Sequence, residues 1–161
     1  MRVERTTTPT ERPEPTPCYL HNPADIPTGR GRDGRVFSLR KIRKDLGLPV
    51  RYRAVTARLT DYRIGESFPQ GPPPRLVPAS MRKLHTYMAL RGDTETKATN
   101  AGAYLMIVHP WDDGNGRTAR ELYRRYTGDR SLGDCLLRNK MVSRLKEWGG
   151  DVFPHLPKVY A

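Results

Sequence analysis

Apolar residues recur at spacings of three and four along the second half of the chain, which predicts a succession of amphipathic helices. The first helix is predicted over 78–92, and a second is capped by Asp93 or Thr94 and runs to Val108. A third follows a glycine-rich turn, and a fourth is predicted over about 132–148. The residues predicted to face the core are Met81, Leu84, Met88, Ala98, Ala101, Leu105, Val108, Ala119, Leu122, Tyr123, Tyr126, Leu136, Val142, Leu145 and Trp148.

Upstream of these helices the pattern changes from helical to alternating. Ser38 is predicted to cap a short amphipathic helix that Gly47 ends. From Val50 onward, apolar residues alternate with arginines, and a second stretch of polar and apolar residues follows before a glycine. Alternation at every second position followed by a turn predicts a β-hairpin over about 50–64.

The N-terminal residues show no periodic pattern. Residues 1–17 are rich in Thr, Pro and Glu, which predicts a disordered tail, and residues 19–35 are interrupted by Pro and Gly. The two prolines in 151–161 predict a C-terminal segment that wraps the surface. We therefore expect a flexible N-terminal arm, residues 1–35, followed by one mainly α-helical domain, residues 36–161.

Charge adds a second hypothesis. The chain has a net charge of +12 and a pI of about 10.2, values that are typical of nucleic-acid-binding proteins. The arginines are spread along the sequence, however, and no helix-turn-helix, zinc-finger or RNA-binding signature is present. A compositional bias toward arginine is therefore favoured over a nucleic-acid partner, and the charge would steer an acidic protein target toward the surface.

Neither a targeting segment nor an apolar run of membrane-spanning length is visible in the sequence. Cys18 and Cys135 are far apart in different contexts, so no disulfide framework or metal cluster is indicated. We therefore expect a protein of the reducing cytoplasm.

The candidate chemistry lies in twelve residues, His109 to Arg120, which read HPWDDGNGRTAR. His109 stands at the end of a helix because Pro110 stops that helix. Glycines in the following turn allow backbone N–H groups to converge at the start of the next helix, which is a ready anion site. An acidic side chain, Asp113, beside such a cradle indicates a bridging Mg²⁺ ion. A plain surface turn is the alternative, and the flanking His and Arg residues favour the phosphate cradle.

These twelve residues resemble the signature of the Fic (filamentation induced by cAMP) family, H-x-F-x-[DE]-G-N-G-R-x-x-R, at every position but one. The exception is Trp111, where the family usually has Phe. In the family this aromatic residue anchors the loop, and Trp can do the same if its indole N–H finds a partner. The resemblance implies a Fic-type helical bundle that transfers a nucleotide monophosphate, usually AMP from ATP, onto a protein hydroxyl.

The resemblance also implies a role for each motif residue. His109 would accept the proton of the attacking hydroxyl, because histidine exchanges protons near neutral pH. Asp113 would hold the Mg²⁺ ion that bridges the α- and β-phosphates. The remaining motif residues would bind ATP: Gly114, Asn115 and Gly116 as the phosphate cradle, Arg117 at the β-phosphate and Arg120 at the γ-phosphate.

The predicted hairpin over 50–64 resembles the flap of Fic proteins, which holds an extended segment of the protein substrate by main-chain pairing. Many Fic proteins also carry an inhibitory motif, [ST]-x-x-x-E-[GN], whose glutamate pairs with the second motif arginine. The nearest match here is Thr7 to Arg12, which departs from the pattern at Arg12 and contains Pro9. We therefore expect either constitutive activity or restraint by a separate small antitoxin protein that acts at Arg120.

Two other functions stay open at this stage. Fic-fold phosphotransferases use the same loop with the nucleotide reversed, but they usually have a lysine near the position of Gly116, so the sequence favours AMP transfer. A non-catalytic binding module for nucleic acid or protein is the third hypothesis, which the intact His109 disfavours.

Overall fold

The computed structural model describes residues 2–5, 26–61, 66–67 and 71–148. Within these residues, five helices and five short strands follow one another, with a 3-10 turn at Pro74–Leu76. In chain order they are β1 Arg2–Arg5, β2 Thr28–Arg30, β3 Val36–Ser38, α1 Leu39–Asp45, β4 Ala57–Asp61, β5 Glu66–Ser67, α2 Val77–Met88, α3 Thr94–Val108, α4 Asn115–Thr127 and α5 Asp134–Trp148. The predicted class, a mainly α-helical fold with a small hairpin, is confirmed.

Helix α3 forms the centre of the fold. Every residue from Lys97 to Val108 is buried, and the helix packs against α2, α4 and α5. Small residues at Ala98, Ala101 and Ala103 let these neighbours approach closely. The helix therefore leads from the core directly to its C-cap residue, His109, which begins the motif loop, residues 109–114.

The predicted helix starts are confirmed by their caps. Ser38 Oγ accepts a hydrogen bond from the backbone N–H of Lys41, at 3.2 Å, and begins α1. Asp93 Oδ2 accepts from the N–H of Thr96, at 2.8 Å, and begins α3. Side-chain acceptors at these positions satisfy backbone donors that have no partner within the helix.

Two helix predictions are wrong in detail. Helix α2 ends at Met88 rather than at Gly92, because the Lys97 ammonium donates to the carbonyl of Leu90 and a turn replaces the last helical residues. In α5, Leu136 is 60% exposed and its neighbour Leu137 is buried instead. Two adjacent leucines leave the phase of an apolar stripe ambiguous, and the contacts with α3 decide it.

The hairpin lies further along the chain than predicted. It consists of β4 and β5, which pair antiparallel, whereas residues 50–56 form no strand. Tyr52 and Arg53 are adjacent in sequence and are both buried, which a strand with alternating faces does not allow. This segment lies beside the motif loop instead, because the backbone N–H of Arg53 donates to the carbonyl of Pro110 at 2.8 Å.

The prediction of a flexible arm over 1–35 is wrong for its last ten residues. Ile26 is buried, and β2 pairs with β3. Asp33 accepts hydrogen bonds from the Tyr126 hydroxyl, at 2.8 Å, and from the Thr94 hydroxyl, at 2.9 Å. These contacts fasten residues 26–35 to α3 and α4.

The remaining N-terminal predictions fall mostly outside the described residues. Strand β1 is described and pairs antiparallel with β4, so the three-stranded sheet has the order β1-β4-β5. The rest of the tail and the C-terminal segment, 151–161, lie outside the described residues. Within the described part of the chain, no helix has the length and apolar character needed to cross a membrane.

Candidate active site

His109 occupies an unusual backbone conformation at the end of α3. Its φ and ψ are 51° and 58°, and it is the one non-glycine residue with positive φ in the described part of the chain. The left-handed conformation costs about 1–2 kcal/mol for a residue with a Cβ. His109 is also only 7% exposed, so its surroundings must hold it in place.

Asn115 fixes the His109 side chain. The backbone N–H of Trp111 donates to Asn115 Oδ1 at 3.0 Å, and Asn115 Nδ2 donates to the Trp111 carbonyl at 2.7 Å. Since a backbone N–H can only donate, these two bonds identify which end of the amide is oxygen. The NH₂ group therefore faces His109 Nε2, at 2.8 Å.

This arrangement selects one form of the imidazole. An amide NH₂ group can only donate a hydrogen bond, so His109 Nε2 must accept one. The ring is then neutral, with its proton on Nδ1. The sequence analysis predicted that Asn115 is part of the phosphate cradle. Its side chain contacts the imidazole of His109 instead.

Trp111 anchors the loop as expected. The side chain is fully buried, and its indole N–H donates to the carbonyl of Val50 at 3.0 Å. The Arg43 guanidinium lies over the indole ring, 4.3 Å from its centroid. A tryptophan in place of phenylalanine thus gains a polar partner that a phenyl ring lacks.

Arg43 supports the same loop and was missed by sequence reasoning. It is 1% exposed and donates to the carbonyls of Asp113, at 2.8 Å, and Pro49, at 2.6 and 2.9 Å. Burial lowers the pKa of Arg43 to about 10, so it remains charged at neutral pH. Arg43 lies four residues after Leu39 and therefore on the buried face of α1. This spacing was the one feature of the sequence that could have indicated its burial.

The predicted anion cradle lies at the start of α4. Gly114 is the N-cap, with φ 75°, and has no side chain that covers the first-turn N–H groups. These groups and the helix dipole create a positive end that suits a phosphate. The backbone N–H of Gly114 itself donates to Asp113 Oδ1 at 2.7 Å.

A cavity of about 80 Å³ lies between His109 and the cradle, lined by Met106, His109, Asn115, Gly116, Arg120 and Arg138. Burial lowers the pKa of Arg120, an effect that the nearby Asp134 carboxylate opposes and the nearby Arg138 reinforces. Two arginines therefore face one small polar space. Arg138 comes from α5, and no motif in the sequence indicated it.

Gly116 makes room for one of these arginines. A Cβ atom at this position would lie 3.2 Å from Arg120 Nη1, so the guanidinium passes directly over the cradle. Asp134 Oδ1 lies 3.5 Å from Nε on the other side of the same guanidinium. The ion pair thus orients Arg120 with its outer nitrogens toward Gly116.

Three of the predicted site residues, Asp113, Gly114 and Arg117, do not line this cavity. The Asp113 and Arg117 side chains are 79% and 50% exposed and form an ion pair of 3.2 Å. Asp113 also lines a second cavity of about 230 Å³, together with Arg43, Tyr52 and Asp112. The structure therefore brings together His109, Asn115, Gly116 and Arg120 around one cavity, while Asp113, Gly114 and Arg117 do not line it.

The described residues suit a Mg²⁺ ion that is held partly by substrate phosphates, but not one that is held by protein side chains alone. They contain no group of three or more His, Cys, Asp or Glu side chains that could hold a metal ion. A cage made only of protein ligands is therefore absent from the described part of the chain. Mg²⁺ is commonly held by one or two carboxylates together with substrate phosphates, and the exposed Asp113 carboxylate beside the cradle suits that mode.

Comparison with known proteins identifies one family. The sequence profile of the Fic/DOC family matches residues 38–126, which is more than half of the chain. The match extends from the cap of α1 to Tyr126 in α4 and includes the whole motif. No curated protein and no solved structure matches the chain.

The environment of Gly114 leads to a stability prediction. Gly114 and Gly47 both have positive φ, but a Cβ at Gly114 would lie 2.3 Å from Leu48 Cδ1 and 2.9 Å from Arg43 Nη1, whereas Gly47 has open space. We expect Gly47→Ala to lower the free energy of unfolding by about 1–2 kcal/mol. Gly114→Ala should cost roughly 1–3 kcal/mol more, because it also overpacks the loop.

Chemical denaturation of the two variants and the parent measures this difference. Equal losses for Gly114→Ala and Gly47→Ala would show that Leu48 and Arg43 move aside freely, and that the loop is not packed as described.

Proposed function

We propose that this chain, which belongs to the Fic/DOC family, is a protein adenylyltransferase that moves AMP from ATP to a Ser, Thr or Tyr hydroxyl of a target protein. The family is known for transfer of AMP or other nucleotide groups to proteins. The observation that carries the finer proposal is the 2.8 Å contact between Asn115 Nδ2 and His109 Nε2 at the edge of an arginine-lined cavity.

The chemistry assigned to His109 is that of a general base. The target hydroxyl takes the place of the Asn115 amide at Nε2 and gives up its proton there as its oxygen bonds to the α-phosphorus. The bond between the α-phosphorus and the oxygen bridging to the β-phosphate breaks, and pyrophosphate leaves. Asn115 keeps the ring neutral beforehand, which is the form that can accept a proton.

The phosphates are assigned to the start of α4 and its arginines. The first-turn N–H groups face the α- and β-phosphates, and Arg120 donates to the γ-phosphate as a bidentate fork. Arg138, which also lines the cavity, adds a third donor set. Asp113 would hold a Mg²⁺ ion, which would neutralise phosphate charge, and Arg117 would exchange its ion pair with Asp113 for the β-phosphate.

Gly116 favours AMP transfer over phosphotransfer. A side chain at this position would displace Arg120, since even a Cβ atom would lie 3.2 Å from its Nη1. A reversed nucleotide would put its γ-phosphate at His109 rather than at Arg120, the cavity arginine assigned to that phosphate. Phosphotransfer is the second candidate, and a nucleic-acid partner and a membrane are not part of the proposal.

Control by another protein is also proposed. Arg120 already pairs with Asp134 through Nε, which leaves its outer nitrogens facing the cavity. A separate small antitoxin could inhibit by placing a carboxylate there, in competition with the γ-phosphate. Glu11, the nearest match to an inhibitory glutamate within the chain, lies outside the described residues. We also propose that the protein acts in the cytoplasm, where ATP is available.

The direct test uses ATP labelled at either the α- or the γ-phosphate, with Mg²⁺ and a lysate or candidate proteins. We expect the α-label to appear on protein and the γ-label to remain in solution. His109→Ala should lower transfer about 10²- to 10⁴-fold and leave ATP binding nearly unchanged, because the base acts on the hydroxyl. His85→Ala, an exposed histidine of α2, is the matched control and should transfer normally.

Transfer of the γ-label would replace adenylylation with phosphotransfer. Full activity of His109→Ala would show that another group is the base.

Target docking is proposed at the hairpin flap, β4 and β5. In the sheet, β4 lies between β1 and β5, and the chain's own N-terminal strand occupies one edge of β4 from Thr60 to Ala57. A target segment that pairs with β4 must therefore displace β1. Main-chain pairing of this kind is a common way to bind extended peptides.

We expect a variant without residues 1–5 to modify an added target protein about threefold faster or more, which corresponds to roughly 0.7 kcal/mol of released competition. The KM for ATP should stay the same, because the nucleotide cavity does not contact β1. Slower target modification by this variant would mean that β1 is itself part of the docking surface.

A further inference from the structure

Arg53 stands out as a buried charge that the proposed mechanism does not use. It is 1% exposed, and its guanidinium donates to four carbonyl oxygens. Nε donates to His109 at 2.6 Å, and Nη2 donates to Val108 at 3.1 Å and also to Pro72. Nη1 donates to Val55 at 2.7 Å.

These four carbonyls come from three separate parts of the chain. Val55 precedes the flap, since β4 begins at Ala57, and Pro72 follows it, since β5 ends at Ser67. The other two carbonyls belong to the end of α3 and to His109 itself. One side chain therefore joins both roots of the flap to the backbone of the histidine.

Electrostatics explain why a charge is stable at this place. The last carbonyls of a helix carry partial negative charge, and Arg53 satisfies two of them at the end of α3. Burial lowers the pKa of Arg53 to about 10, an effect that the Asp112 charge opposes, so the guanidinium is charged at neutral pH. Its planar fork reaches several acceptors at once, which a lysine ammonium on a flexible stem does not.

The His109 carbonyl is the important acceptor. A left-handed residue at the end of a helix turns its carbonyl away from the helix axis, and a donor at 2.6 Å holds it there. The same backbone turn sets where the imidazole points. We propose that Arg53 is a positioning residue that holds His109 Nε2 in the cavity and couples it to the flap on which the target docks.

This inference rests on the proposed function for its kinetic consequence. Arg53→Lys keeps a positive charge but loses the fork, so we expect kcat for protein modification to fall about tenfold or more. The KM for ATP should change less than about twofold, because Arg53 does not line the nucleotide cavity. A purely structural role would lower the amount of folded protein without separating kcat from KM.

Arg43→Lys is the matched control. Arg43 is equally buried, its pKa is also lowered to about 10, and it too donates to loop carbonyls, but these belong to Asp113 and Pro49. It touches the cradle rather than His109. We expect Arg43→Lys to raise the KM for ATP, in contrast to Arg53→Lys.

A second variant perturbs the same contacts and leaves Arg53 in place. A Cβ at Gly71 would lie 2.8 Å from the Ile107 carbonyl, 3.2 Å from the Val108 carbonyl and 3.3 Å from Arg53 Nη2. Gly71→Ala should therefore shift this cluster and lower kcat selectively, as Arg53→Lys does. If Arg53→Lys folds poorly, the Gly71→Ala variant still tests whether these contacts position His109.

The ring nitrogens of His109 give a readout that needs no activity. Nitrogen NMR should show a neutral ring protonated on Nδ1 in the parent protein, and His109→Ala assigns the signals. We expect these signals to shift in Arg53→Lys and in Gly71→Ala. If the parent transfers no AMP, the proposed function fails, while the ring signals still test the role of Arg53.

Unchanged ring signals in both variants would overturn the inference. So would an equal change of kcat and KM in Arg53→Lys and Arg43→Lys, because the two arginines would then act only on stability.

Discussion

A left-handed histidine at the end of a buried helix is the constraint on which the site depends. His109 must leave α3 in a conformation that costs about 1–2 kcal/mol, and it must do so almost without exposure to solvent. Arg53 holds its carbonyl, and Asn115 holds its ring. Because α4 begins at Asn115, the orientation of the His109 ring and the start of α4 are fixed by the same residue.

Two buried arginines extend this dependence to the rest of the loop. Arg43 and Arg53 are nine-tenths or more buried, and their hydrogen-bond partners are mainly backbone carbonyls on either side of the motif. Burying a charge is unfavourable unless donors and acceptors match, so each guanidinium requires the loop conformation that it stabilises. Trp111 is fully buried in the same loop, and the Arg43 guanidinium covers its ring. The loop is thereby organised before any ligand arrives.

The sequence predicted the parts of this arrangement that depend on local rules. Helical periodicity located α3 and α4, the caps at Ser38 and Asp93 follow from their side chains, and the motif identified His109. Arg53 was not predictable, since a charged residue in an alternating stretch is typical of a solvent-facing strand position. Its burial depends on carbonyls more than fifty residues away, which no local pattern reveals. The Leu136 error has a similar cause, because only packing against α3 chooses between adjacent leucines.

The central claim is that the motif loop is preformed, and amide hydrogen exchange of Trp111 tests it most directly. Its N–H donates to Asn115 Oδ1 at 3.0 Å, and Nδ2 of the same amide lies 2.8 Å from His109 Nε2. The account predicts that, without nucleotide, this amide is protected nearly as well as the His109 amide, which donates to the Leu105 carbonyl within the helix ladder. Rapid exchange at Trp111 that slows only after ATP and Mg²⁺ are added would contradict it.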